Sequence, residues 1–275
     1  AVTLVQNGSD KIGGSTTNAT LSVEGLAVTL VYVDATQGWL VTDSGLQSEA
    51  PGSLYVTATG GTITCSPCGD YKIHTFTGPG ALCVSCAGNV EGSNSVDYMV
   101  VAGGGGAGRD RGGGGGAGGF RESPGTASGS YTVSPLGVSP AVALPVSVQP
   151  YTVTVGGGGT GGPNASPPGC SGRGTNGNVS TFSTITSAGG GASGPGDSPC
   201  AARNGAAGGS GGGGGAGNSA GGTAGTGNTP PVSPPQGQNG GTNSGSGTGT
   251  DRLGGGGGGA TVAGEGGVGV SPGTG

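Results

Sequence analysis

The sequence predicts an all-β protein: a short-stranded N-terminal β unit, then a glycine-rich region of packed, polyglycine-II-like runs with exposed loops, and essentially no helix. Three observations carry this expectation. Gly supplies 75 of the 275 residues and Pro 18; Leu, Ile, Val and Phe together make only about 16%, too few for an ordinary packed core. The apolar residues fall in short segments bounded by Gly, Asn, Asp and Pro, and none sustains a 3.6-residue period. The glycines come in blocks, without the strict every-third spacing of collagen.

The strand expectations follow chain order. Val2–Val5, Leu26–Val33, Trp39–Val41, Leu54–Thr57, Thr62–Thr64, Tyr71–Phe76, Leu82–Ser85 and Val96–Val101 are rich in β-branched and aromatic residues. In Leu26–Val33, Val28, Leu30 and Tyr32 share one face, yet Val31 and Val33 on the other are apolar too, so both faces call for burial. Composition then divides the chain into a β-rich attachment or shaft module over 1–60, a β-hairpin unit over 61–102 that leads into the glycine-rich domain, and a glycine-rich distal domain with polar loops over 103–275.

Gly103–Gly106, Gly112–Gly116, Gly156–Gly159, Gly189–Gly191, Gly211–Gly215 and Gly254–Gly259 pose an energetic problem. Ordering each residue costs about 1–2 kcal/mol, while a net hydrogen bond returns about 0.5–1.5. A lone run should stay a flexible linker. Several runs side by side can reverse that balance: in the left-handed threefold conformation every N–H and C=O points sideways. Bare backbones then approach closely enough to exchange hydrogen bonds and weak Cα–H···O contacts. The Ser-, Thr-, Asn- and Pro-rich stretches between runs become exposed loops.

Charge and motif exclude much else. A net charge of −5 and eight scattered Lys plus Arg leave no basic stripe for nucleic acid. No apolar run approaches the roughly 20 residues that span a bilayer, so membrane insertion is not expected. Gly103-x-Gly105-x-x-Gly108 matches a dinucleotide fingerprint in letters, but the Arg-Asp-Arg and further glycine after it cannot open the helix that binds pyrophosphate. His74 is the only histidine and acids are sparse, so neither a nucleophile–base pair nor a carboxylate pair is available. The sequence predicts no enzyme and no cofactor.

Cysteine leaves alternatives open. Cys65-Ser-Pro-Cys68 and Cys83-Val-Ser-Cys86 are spaced like a zinc ribbon. Against zinc, Thr77-Gly-Pro-Gly80 reads as a tight turn that sets Cys83 opposite His74 and Cys86 opposite Tyr71. Strand alternation also sends Cys83 and Cys86 to opposite faces. Zinc, disulfides and free thiols all remain, and Cys170 and Cys200 are candidates to staple neighbouring loops.

Tyr71–Gly80, Leu82–Ser85 and Val96-Asp-Tyr-Met-Val-Val-Ala-Gly-Gly-Gly-Gly106 together resemble the glycine-rich domain of tailed-phage fibres, where a hairpin and a VVAGGGG strand precede the glycine runs. Gly118-Gly-Phe-Arg121, Tyr151–Gly159 and Phe182–Gly191 resemble the same family, and Leu30–Trp39 is similar to short β-modules of cyanophage fibres. The resemblance implies a virion appendage, commonly a homotrimer, joined to other virion proteins at its N-terminal end. In distal adhesins of this kind, packed polyglycine helices hold loops that bind a host cell-surface glycan or outer-membrane component.

Such loops would be Phe120–Tyr131, Asn164–Asn178, Asp197–Asn204 and Asn228–Thr250. Within and beside them Arg121, Arg173 and Arg203 are candidate anchors for phosphate or carboxylate, with Asn164, Asn178 and Asn228 as hydrogen-bonding partners. Two further readings are an architectural fibre that binds only its own virion, and a non-viral matrix or ice-binding protein. The last calls for a small-residue face repeating every third position, which the sequence does not display.

Overall fold

The structure, a computed structural model, describes residues 1–46, 53–67, 69–89, 92–125, 133–163, 172–196, 203–217, 220–243 and 253–267. Among these residues there is no α-helix, and the chain forms two units: Ala1–Tyr55 with Gly88–Asn94, and Val56–Ala87 with Ser95–Gly275. The division after Tyr55 puts the strands of 61–102 in one unit with the glycine runs.

In the first unit β1 (Val2–Leu4) pairs antiparallel with β2 (Ala19–Leu21), and β3 (Leu26–Asp34) with β4 (Gly38–Leu46). The turn over 11–15 pins the second hairpin: Trp39 N–H donates to Lys11 O, and Gly13 N–H donates to Trp39 O, both at 2.8 Å. Only glycine fits at Gly38, where φ is +72° and a Cβ would lie 2.0 Å from Lys11 O. Tyr32 and Trp39 stack edge to face across the hairpin, centroids 5.5 Å apart. The burial expected for both faces of β3 is not met within the chain. Val31, Val33, Trp39 and Val41 stay 40–53% exposed, because a two-stranded ribbon has no second layer of its own.

The second unit is built around an antiparallel sheet of order β15-β14-β13-β8-β5: β15 (Ile185–Ser187), β14 (Ser180–Phe182), β13 (Pro150–Thr154), β8 (Gly80–Ala87) and β5 (Val56–Thr59). Leu82, Val84, Val146 and Tyr151 form its core, with Val56, Phe76, Val96, Leu144 and Phe182 packed around them. Three short pairs flank it: β6 (Thr62–Cys65) with β7 (Lys72–Thr75), β9 (Ser95–Val96) with β12 (Leu144–Pro145), and β10 (Met99–Val101) with β11 (Phe120–Glu122).

The expected 71–86 hairpin is corrected. β7 pairs with β6, so His74 faces Ile63, while β8 pairs with β5 and β13, so Cys83 faces Thr59 and Pro150 and Cys86 faces Thr57. Gly60 and Gly61 (φ +113° and +64°) cause the change. A Cβ at Gly60 would sit 2.1 Å from Ala81 O, and one at Gly61 2.7 Å from Thr75 O, so the bare backbone passes close to both strands as it leaves one sheet for the other. The single strand expected over Val96–Val101 is broken at Asp97, whose carboxylate accepts a hydrogen bond from Ser123 Oγ at 2.7 Å.

The glycine runs form a lattice. From 210–216, Gly211 and Gly214 donate to Gln238 and Gly241; Gly212 and Gly215 to Ala206 and Arg203; Gly213 and Ala216 to Gly114 and Arg111. Every third residue thus addresses the same neighbour, the signature of a threefold helix. The same segment accepts from Gly191 and Gly194, from Gly222 and Gly225, and from Gly255 and Gly258. Its six neighbours are also bonded to one another in a closed ring, which is hexagonal packing.

The segments lie in three layers. One holds 156–162, 102–108, 113–119, 253–259 and 263–267; the next 172–178, 188–196, 210–216 and 236–243; the last 203–209 and 221–228. None of the glycines in these layers, other than Gly118, has left-handed φ. Glycine is required there for close approach rather than for turn geometry. The every-third repeat, missing from residue type as a whole, is present in bond direction. It also surfaces locally, with Ala220, Thr223, Thr226 and Thr229 all exposed.

Candidate functional site

Bond order along the lattice shows that successive segments alternate in direction. Gly103, Gly106 and Arg109 donate to Asn178, Thr175 and Gly172 in descending order, whereas Gly190, Ser193 and Gly196 donate to Gly103, Gly106 and Arg109 in ascending order. The lattice therefore has two distinct ends. At one, the segments continue into strands: β10 runs into 102–108, β13 into 156–162, β14 follows 172–178 and β15 precedes 188–196. Strand pairing sets the lattice register there. Val153 and Thr154 face Phe182 and Thr181, and the next bonds are Gly156 N–H to Ser180 Oγ (2.9 Å) and Asn178 N–H to Gly157 O (2.9 Å).

Polar side chains fix the register where glycine alone would allow slippage. Gln236, 1% exposed, accepts from Ala188 N–H through Oε1 and donates from Nε2 to Pro230 O, both at 2.8 Å. Ser210 Oγ makes contacts of 2.8 and 3.0 Å to Gly118 O and Gly259 O. Beside the fully buried Ala192, Asn176 Oδ1 accepts the Ala192 N–H at 2.8 Å, and a side chain replaces a backbone partner where a Cβ occupies lattice space.

At the opposite end, the turn end, no lattice segment continues into a strand among the described residues. Arg109–Arg111 joins 102–108 to 113–119, with Asp110 and Arg111 both left-handed (φ 49° and 57°) and Arg109 Nε 2.9 Å from Asp110 Oδ2. Residues 164–171, 197–202, 218–219 and 244–252 lie outside the described residues. Those that flank them (Pro163 and Gly172, Gly196 and Arg203, Gly217 and Ala220, Asn243 and Leu253) all sit at this end. No large apolar side chain is exposed here among the described residues.

The expected site residues are divided by this geometry. Arg173 and Arg203 lie at the turn end, both half-buried, and Arg203 Nη1 donates to Ala220 O. Arg121 is on β11 opposite Val100, at the strand end. Asn178 is exposed there, with its backbone in the lattice. Asn228 also lies there and holds a turn: its Oδ1 accepts from Val232 N–H and Gln236 N–H at 3.0 and 3.2 Å. Asn164 lies outside the described residues. Sequence reasoning passed over Arg109 and Arg111, although a charged tripeptide between two glycine blocks was the available signal.

Cys65, Cys83 and Cys86 are free thiols, Cys65 on β6 and the other two on β8. Cys68, Cys170 and Cys200 lie outside the described residues. His74 Nδ1 lies 2.8 Å from Gly60 O, on the crossing between the sheets.

The family model described as a glycine-rich domain matches residues 84–275. The chain belongs to the glycine-rich domain family. The matched span begins inside β8 and holds the whole lattice, while β5 and Gly80–Cys83 of β8, which complete the sheet, precede it. No curated protein and no solved structure matches the chain.

Proposed function

We propose that this glycine-rich domain protein is a virion structural protein, a tail-fibre-like adhesin that attaches non-covalently to a host cell surface through the segments at the turn end of its lattice. One observation carries the reading: alternating lattice segments bring Arg109–Arg111 and the residues that flank 164–171, 197–202, 218–219 and 244–252 to one end, while at the other end four segments continue into strands. A rigid scaffold that holds the start and finish of several segments at one end is an arrangement used for recognition. The resemblance of its motifs to those of phage fibres supports a virion appendage as the location and a host glycan or outer-membrane component as the partner. No catalytic constellation is assigned, and the function needs none.

The exposed apolar hairpin of β3 and β4 supports the attachment half of the proposal. Val31, Val33, Trp39 and Val41 form the kind of surface that neighbouring copies of a homotrimer, or other virion proteins, would cover. The test replaces 164–171 and 197–202 with Gly/Ser segments of equal length and measures retention of labelled protein on a panel of cyanobacterial cells. Loss of retention with an unchanged melting transition is the expected result. Unchanged retention of both variants would refute the assignment of the binding end.

A further inference from the structure

We propose that Arg109, Arg111, Arg173 and Arg203 form an anion-binding site that grips phosphate or carboxylate groups of an acidic glycan, an inference that rests on the turn end being the binding end. The four arginines are spread over the sequence, and the lattice gathers them. Arg109 N–H donates to Gly172 O (3.0 Å), next to Arg173, and Arg109 O accepts from Gly196 N–H (2.9 Å). Arg111 O accepts from Ala216 N–H (3.1 Å), and Arg203 O accepts from the adjacent Gly215 N–H (2.7 Å).

The side chains are also seated. A Cβ at Gly172 would come within 2.8 Å of Arg109 Cγ and Nε, and one at Gly217 would collide with the Arg203 guanidinium. Glycine at those two positions leaves room for arginine to lie along the lattice end. The contacts to Asp110 Oδ2 and Ala220 O orient planar forks suited to bidentate binding of phosphate or carboxylate.

The turn itself points the same way. Left-handed backbone costs a non-glycine residue about 1–2 kcal/mol. In a chain with 75 glycines, the two left-handed positions of this turn are nevertheless Asp110 and Arg111. Residues kept in unfavourable φ are a mark of functional sites.

Charge agrees. Among the described residues this end carries four arginines (109, 111, 173 and 203) against Asp110, with Glu265 two residues inside it. Counting Glu265, that is net +2 in a chain of net −5. Anions are thus steered to this end and away from the rest of the surface. With no large apolar side chain exposed there among the described residues, a glycan fits better than a lipid surface into which a side chain would wedge.

The experiment immobilises dextran phosphate, alginate and neutral dextran and measures binding of the full chain, with phosphatidylglycerol vesicles alongside. Binding to dextran phosphate, alginate or both is expected, with none to neutral dextran, and should weaken about tenfold or more as salt rises and screens the contacts. Arg111→Gln, at an exposed position, and the double variant R111Q/R173Q should weaken it about threefold and tenfold, taking each charge-assisted contact as part of a shared site. K11Q/K72Q, which removes equal charge elsewhere, should leave it unchanged. The relative strength on dextran phosphate and alginate identifies the anion.

Equal binding to neutral dextran, indifference to the arginine variants, or capture by vesicles alone would overturn the proposal. Cell retention separates the two claims. If the segment replacements abolish retention while the arginine variants change neither retention nor dextran phosphate binding, the adhesin reading stands and the anion site falls. If dextran phosphate binding depends on the arginines but no segment replacement alters retention, the anion site stands and the adhesin reading falls.

Discussion

Adding a single methyl group in the middle of the lattice should be far more damaging than adding one at its edge, and Gly213 and Gly158 provide the comparison. A Cβ on Gly213 would lie 2.1 Å from Gly255 O and 2.7 Å from Gly256 O. Relieving that contact means parting 210–216 from 253–259 by about 1 Å, and backbone cannot swing aside as a side-chain tip can. The bonds Gly255 N–H to Gly214 O and Gly258 N–H to Gly211 O, both 2.8 Å, would then stretch beyond hydrogen-bonding range.

Two buried donor–acceptor pairs left unmade cost about 2–6 kcal/mol together. For a unit of this size that lowers Tm by about 4–24 °C. A Cβ on Gly158 meets only Gly104 O at 3.7 Å, an ordinary contact at an exposed position. Gly158→Ala should therefore stabilise by about 0.4–1 kcal/mol through the unfolded chain. Differential scanning calorimetry of the full chain measures both. Equal shifts for G213A and G158A would refute the claim that close backbone approach is what glycine supplies.

Three other perturbations have directions fixed by the structure. Gln236→Ala removes the acceptor of the buried Ala188 N–H and the donor to Pro230 O, so urea denaturation should show a loss of about 2–5 kcal/mol. Ser187 is fully buried and its hydroxyl has no partner among the described residues, so Ser187→Ala should be neutral or stabilise by about 1 kcal/mol in the same assay. The Tyr151 phenol is held below its ordinary value chiefly by the Ser147 side chain, then by Gln149 and the Ser147 backbone, so alkaline titration at the phenolate absorbance should show early ionisation that Tyr151→Phe abolishes. Because the folded value is the lower one, ionisation adds stability above the unfolded value of about 10, and this is lost as pH falls through the folded value. Neutral stability should gain nothing from it.

The strands of the first third were legible because β-branched pairs and turn residues announce themselves locally. Leu26–Val33, Thr62–Thr64 and Leu82–Ser85 fall within β3, β6 and β8. β2, with only Ala-Thr-Leu, and β11 to β15 were not legible, since each is a short extension of a neighbouring element and its pairing is long-range. The Gly60–Gly61 crossing hid the partners of β7 and β8, because Thr77–Gly80 has every local property of a hairpin turn. That glycine runs could pack was legible from backbone chemistry alone. Which run lies beside which was not, since glycine carries no side chain to specify a neighbour. The specification comes from scattered residues such as Asn176, Ser210 and Gln236, whose hydrogen bonds are visible only once the segments are assembled. The same holds for the candidate site: Arg173 and Arg203 were anticipated singly, but their placement at one end with Arg109 and Arg111 is a product of the lattice.

In the proposed reading, this architecture separates stability from recognition in a way a side-chain core cannot. In a β-sandwich the residues that pack and the loops that bind alternate along the same strands, so changing a loop pulls on the core. Here the apolar cluster around Leu82, Val84, Val146 and Tyr151 is small and belongs to the strand end. The turn end is held by backbone hydrogen bonds that ask only for glycine and a few polar residues. The stretches between Gly196 and Arg203, or between Asn243 and Leu253, therefore start and finish at points fixed by the lattice rather than by their own side chains. Doubling the length of a flexible connection costs only about 0.6 kcal/mol of closure entropy. In the proposed reading their sequence is free to follow a partner, while Arg109–Arg111, short enough to be held by the lattice itself, keeps two arginines at the same end.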